Sequence, residues 1–232
     1  MKRFVVFVLA TVALAGCVDP PPPSAPVTGA APSAIGKEAP DEALFRSVRA
    51  YTVRLMKVDC EGVFAGSGFV VDRRTIVTNR HVVEGAQRVE VTTWDGDPLA
   101  VASVEQATGP DLAIVHLAQD APVVAPRLAP HDPTIDEHLH LVGYADGKAP
   151  RMNNGVVERY VNDKLFDASG RVVEMSGNVI PGNSGGPIVD DHGRIAGVVF
   201  GWEYRTGWVV GVPVARLRVL LHGVGRTPVV PC

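Results

Sequence analysis

No apolar run in this chain has the ~20 residues that a bilayer-spanning helix needs; the stretch from Phe4 to Leu14 falls well short. Neither sign of charge dominates. Lys and Arg number 22 against 25 Asp and Glu, a net charge of -3, and the two signs are interspersed. The chain therefore offers no basic stripe to follow a nucleic-acid backbone, and that class of partner is set aside. Cysteine is scarce, with three in 232 residues, and neither Cys nor His recurs at zinc-ligand spacing, so no metal site is expected. Helical periodicity is missing from about residue 51 to residue 212, which argues against parallel βαβ architecture. Glycine and proline are plentiful, 24 and 19. Much of the proline lies near the N-terminus and many glycines punctuate Val-rich segments, so they read as linker and turns.

Lys2 and Arg3 ahead of the run Phe4 to Leu14 have the form of an export signal. The run ends in Leu14-Ala15-Gly16-Cys17, which resembles the lipobox of bacterial lipoproteins and implies acylation of Cys17. Residues 1–16 are then the signal. Residues 17–42 are the lipidated Cys and a Pro-rich spacer, with Pro20 to Pro23 consecutive, that cannot build a core. Residues 43–232 form the folded domain. Such a protein is held at the membrane by its lipid and faces the periplasm or exterior. With Cys17 acylated, Cys60 and Cys232 remain, and in an oxidising compartment they can pair. The alternative leaves Cys60 as a small buried residue and Cys232 at a frayed terminus.

Alternation and turn residues mark strands at about 51–58, 63–71, 75–78, 88–93, 99–105 and 112–117. A Pro-containing connection follows, then a second group at about 138–144, 154–161, 171–176, 187–190, 194–201 and 207–212. Two sets of six short strands predict an all-β fold. After Pro213, Val214, Leu217, Leu220, Leu221 and Val224 recur at helical spacing and predict a C-terminal helix.

Three segments carry chemistry. Pro181-Gly182-Asn183-Ser184-Gly185-Gly186-Pro187 places a serine between glycines just before an apolar run. A hydroxyl nucleophile needs such a turn, because glycine lets backbone N–H groups converge on an oxyanion; Gly182 and Ser184 are the natural donors. Thr78-Asn79-Arg80-His81-Val82-Val83 sets His81 just past a strand end. Gly109-Pro110-Asp111-Leu112 sets an acid at the mouth of an apolar strand, half-buried yet able to reach an imidazole. Alone, each has an ordinary reading as a polar turn, a surface histidine or a turn aspartate.

The order His, Asp, Ser with the phrases TNRHVV, PDLAIV and PGNSGGPIVD resembles the chymotrypsin-like (trypsin-like) serine proteases, in particular their HtrA/Deg branch. The pairing of a Cys before the GSGF strand with a C-terminal Cys is similar to the MarP-type proteases within it. The resemblance implies two antiparallel six-stranded β-barrels and an endopeptidase acting on exported or envelope polypeptides. Ser184 would be the nucleophile, His81 the general base and Asp111 its orienting acid, with no cofactor. It places Asn178 at the base of the specificity pocket and Val179 in its wall, so an uncharged, small to medium apolar residue is expected before the scissile bond. A PDZ module is not expected. The alternative function is a catalytically weak protease-like module that binds unfolded segments.

Overall fold

The structure, a computed structural model, describes residues 42–162, 170–223 and 225–232. The signal, Cys17 and the spacer up to residue 41 lie outside the described residues. Chain contacts divide Met1–Glu38 from Ala39–Cys232, and every element below belongs to the second unit.

The chain begins with α1 (Glu42–Tyr51) and runs through β1 (Thr52–Val58), β2 (Val63–Asp72), β3 (Thr75–Thr78), the single-turn α2 (Arg80–Val83), β4 (Arg88–Thr92), β5 (Pro98–Leu99), β6 (Val101–Ala107) and β7 (Ala113–Leu117). A second series follows: β8 (His138–Gly143), a 3₁₀ turn at Ala145–Gly147, β9 (Arg151–Asn162), β10 (Arg171–Met175), β11 (Pro187–Val189), β12 (Ile195–Trp202) and β13 (Val209–Pro213). The chain ends with α3 (Val214–Leu221) and β14 (Arg226–Pro228). The second series closes into a six-stranded barrel in the order β10-β13-β12-β11-β8-β9. The first is a sheet of eight strands, β14-β6-β7-β3-β2-β1-β4-β5, rather than a closed barrel of six. Both extra strands sit at its edges and each carries a proline, Pro98 in β5 and Pro228 in β14. A proline lacks the N–H that an interior strand must donate, so the edge is where it is tolerated.

Alternation along the strands does not foresee α1. Its partly or fully buried residues Leu44, Phe45, Val48 and Tyr51 recur at helical spacing, and Arg49 in its last turn suits the negative end of the helix dipole. α3 buries Val214, Leu217 and Leu220 of the face expected from sequence, with Leu221 partly buried, and Val224 lies outside the described residues. Phe69, Leu55, Ile76, Leu112 and Ile114 of the first sheet join Ile195, Val198 and Phe200 of the barrel in one core cluster. Leu139, Leu141, Val157, Met175 and Ile188 fill the barrel itself. Burial of each such side chain contributes about 1.5–3 kcal/mol, enough to hold the first sheet and the barrel against a common seam.

Cys60, in the β1–β2 turn, and Cys232 are joined as a disulfide across 172 residues, with their Cα atoms 6.0 Å apart. Cys60 is exposed, unlike the buried residue of the alternative reading. The tail is tied along its length. β14 pairs with β6, Val229 N–H donates to Val104 O at 3.1 Å, and Cys232 N–H donates to Gly85 O at 3.2 Å. In the chain-entropy model a closed loop this long stabilises by about 5 kcal/mol, an upper value because the unfolded chain retains structure. The variant Cys232→Ser is therefore expected to unfold at a clearly lower denaturant concentration than the oxidised protein, and wild type in reductant should move to the same midpoint. An unchanged midpoint in both would show that the covalent link adds nothing to the pairing of the tail.

Candidate active site

β3 ends at Thr78, Asn79 stays extended, and α2 then turns the chain so that His81 leaves the first sheet at its mouth. Asp111 lies two residues before β7, the strand paired with β3, so the imidazole and the acid are carried at the adjoining ends of two neighbouring strands. The carboxylate is 1% exposed, and both of its oxygens are committed to His81. Oδ2 lies 2.6 Å from Nδ1, and Oδ1 accepts the His81 backbone N–H at 3.0 Å. An ionised carboxylate only accepts, so Nδ1 carries a proton and Nε2 is left as the basic nitrogen. Asn79 locks the corner by donating from Nδ2 to Asp111 O at 2.8 Å.

Ser184 belongs to the barrel, in the turn between β10 and β11. Its Oγ donates to Phe200 O at 3.2 Å, and the Phe200 ring lies 6.2 Å, centroid to centroid, from that of His81. Phe200 thus meets both the serine and the histidine. The turn depends on its glycines. Gly182 and Gly185 have φ of 98° and 86°, and a side chain at either would run into backbone oxygen, Tyr144 O and Ser67 O respectively.

The carbonyls of this turn fix where its N–H groups point. Pro181 O accepts from Asp146 N–H at 2.8 Å, and Asn183 O accepts from Gly186 N–H at 3.0 Å. In a trans peptide the N–H points opposite to the C=O, so the N–H groups of Gly182 and Ser184 face away from these partners. Among the described residues neither donates to a protein acceptor. The arrangement can offer two N–H donors beside a serine hydroxyl on the barrel, and a carboxylate-oriented imidazole on the first sheet. Tyr144, whose carbonyl lies against Gly182, has its phenol pushed up to about 12 by burial and so stays neutral, with its hydroxyl 3.4 Å from Thr52 O.

Of the residues expected from sequence, the structure pairs His81 with Asp111 and sets Gly182 and Ser184 in one turn, with Phe200 next to both His81 and Ser184. Asn178 is exposed, whereas Val179 is packed into the barrel core beside residues such as Leu139 and Met175. Val179 therefore presents little surface to a bound chain. His116, His140 and His222 contact Glu105, Asp191 and Arg218 O respectively. The residues missed were Asn79, Phe200 and Ser67. Ser67 had one available signal, a polar side chain between two glycines in an otherwise apolar strand.

A family model described as "Trypsin-like peptidase domain" matches residues 66–198. The serine protease Do-like HtrA of Bacillus subtilis is 31% identical over 148 residues, covering 58% of this chain and 32% of that protein. The serine protease Rv3671c of Mycobacterium tuberculosis is 28% identical over 170 residues, covering 68% and 42%. The chain thus spans about a third to two-fifths of the length of these relatives. The crystal structure of the Rv3671c protease in its active form is similar with a TM-score of 0.71 at 23% identity, covering 84% of this chain and 90% of that one. At that identity the likeness speaks for the fold.

Proposed function

Because the chain belongs to the trypsin-like peptidase domain family, we propose that residues 43–232 are a serine endopeptidase domain cleaving exported or envelope proteins, with Ser184, His81 and Asp111 as its catalytic triad. The observation that carries this reading is the buried Asp111 carboxylate committed through both oxygens to His81, in a fold where Phe200 touches both the histidine and Ser184. Ser184 Oγ attacks the scissile carbonyl as its proton passes to His81 Nε2. Asp111 balances the imidazolium, and the N–H groups of Gly182 and Ser184 receive the oxyanion. His81 then protonates the leaving amine, and water repeats the cycle on the acyl-enzyme. Each oxyanion donor is worth about 3–4 kcal/mol in the transition state, so the turn matters nearly as much as the triad.

Acylation of Cys17 supplies the membrane anchor, and the Pro-rich spacer carries the domain away from the lipid surface. This puts the protein in the cell envelope, facing the periplasm or exterior, where polypeptides are its substrates.

The residue preceding the scissile bond is uncharged. Asn178 brings an amide to the position where preference for Lys or Arg requires an acid, and an amide cannot repay the desolvation of an ammonium or guanidinium. The purified chain should therefore cleave a peptide library after small to medium apolar residues. A profile dominated by Lys or Arg would refute the pocket assignment. Tight binding of unfolded polypeptide without any cleavage would favour the binding module instead.

A further inference from the structure

Ser67 is an exception within β2. Its neighbours in the strand, Phe69 and Val70, are apolar and buried, yet Ser67 is a polar side chain with 0% exposure. A buried hydroxyl must find partners, and those of Ser67 lie across the seam in the barrel. Its Oγ donates to Gly182 O at 2.6 Å and accepts Tyr144 N–H at 2.8 Å. Its backbone extends the same grip, since Ser67 N–H donates to Ser184 O at 2.8 Å. Ser67 O in turn accepts the Thr78 hydroxyl at 2.7 Å, two residues before the α2 turn that carries His81. One residue of the first sheet therefore holds two carbonyls of the nucleophile turn, those of Gly182 and Ser184.

We propose that Ser67 is a positioning residue that sets the oxyanion donors through the Gly182 carbonyl. The proposal deepens the protease reading and rests on Ser184 being the nucleophile. Gly182 has φ of 98°, and glycine moves through that region of backbone space at little cost, so the peptides on either side of it can rotate unless they are held. On one side Asp146 N–H holds Pro181 O; on the other, among the described residues, the Ser67 hydroxyl and the Asn183 N–H to Ile180 O bond (3.1 Å) act on the Gly182–Asn183 peptide. Loss of the hydroxyl releases the Gly182–Asn183 peptide, which links the two peptides that carry the Gly182 and Ser184 N–H groups, so these two donors lose the common direction in which they meet an oxyanion. Their alignment matters most when the carbonyl becomes tetrahedral, so the loss falls on the chemical step.

The test compares wild type, Ser67→Ala and Ser67→Cys, with Ser184→Ala as the blank. The substrate is a chromogenic peptide with an uncharged residue before the cleaved bond, and a peptide boronic acid serves as the tetrahedral probe. Loss of a full oxyanion donor costs about 10²–10³ in kcat. Ser67→Ala, which misaligns the donors, is expected to lower kcat by roughly 10- to 100-fold with KM within about twofold, and to weaken the boronate by a similar factor. Its pH profile should keep the wild-type shape, because the His81–Asp111 pair is untouched. Ser67→Cys fills the same space with a weaker donor and should fall between the two. If the alanine variant does not fold, the cysteine variant decides. Folded variants with wild-type kcat and boronate affinity, or a loss that follows only the fraction folded, would overturn the positioning role while leaving the protease reading intact. A wild type that hydrolyses no peptide would overturn that reading, and this one with it.

Discussion

Ser184→Ala is expected to lower kcat by about five orders of magnitude or more while leaving the folded protein almost as stable as before. The two halves of that expectation have separate causes. In the proposed mechanism the hydroxyl is the atom that attacks, and alanine has nothing to put in its place. Structurally it contributes little, because Ser184 is only half-buried and, among the described residues, its Oγ has a single bond, of 3.2 Å to Phe200 O. Such a bond is worth about 1 kcal/mol or less net, and what the turn needs from this residue is backbone, the carbonyl held by Ser67 N–H and the free N–H. Hydrolysis of casein and of a chromogenic peptide, read beside a thermal melt, checks both halves. Retained hydrolysis in a folded variant would remove the nucleophile assignment; collapse of the melt would show that the hydroxyl is structural.

Asp111→Asn is expected to cost about 10⁴ in kcat, again with little loss of stability. The carboxylate now accepts from both the ring and the backbone of His81, at 2.6 and 3.0 Å. An asparagine amide can keep the bond from the backbone N–H with its oxygen, but it then turns its NH₂ toward Nδ1. A donor facing Nδ1 forces the other tautomer, in which Nε2 carries the hydrogen and cannot accept one from Ser184. The fold should tolerate the change because the residue is 1% exposed and an amide is cheaper to bury than a charge. Kinetics across pH, together with a denaturant melt, measure it. A loss of less than tenfold would mean that His81 does not depend on Asp111 for its tautomer or its charge balance.

The sequence was most readable where chemistry and local geometry coincide. A nucleophile turn needs glycine on both sides, and an acid that orients a histidine needs a strand mouth, so both leave short contiguous phrases. Strands also leave a mark, in alternation and in the glycine and aspartate between them; each of the twelve expected from pattern overlaps an observed strand. What escaped depends on distant pairing. β14 is three residues with no alternation to detect, and it becomes a strand only because β6, more than a hundred residues earlier, has an open edge. The eight-stranded sheet follows from that return and from the two-residue β5, which is why six strands were expected there. Ser67 looks like any strand residue until Gly182, 115 positions away, is laid against it. Val179 reads as a pocket wall by its position before the serine, yet the barrel needs its volume in the core beside Met175. α1 carries a helical stripe that was legible, but it precedes the strand pattern that drew attention.

The most direct measurement of the central claim is reaction of the purified, folded chain with a fluorophosphonate, followed by peptide mapping. The account predicts a single phosphonyl adduct, on Ser184, formed more slowly in the presence of a competing peptide and lost when His81 is replaced by alanine. Folded protein that takes no label, or takes it on another residue, would contradict the account.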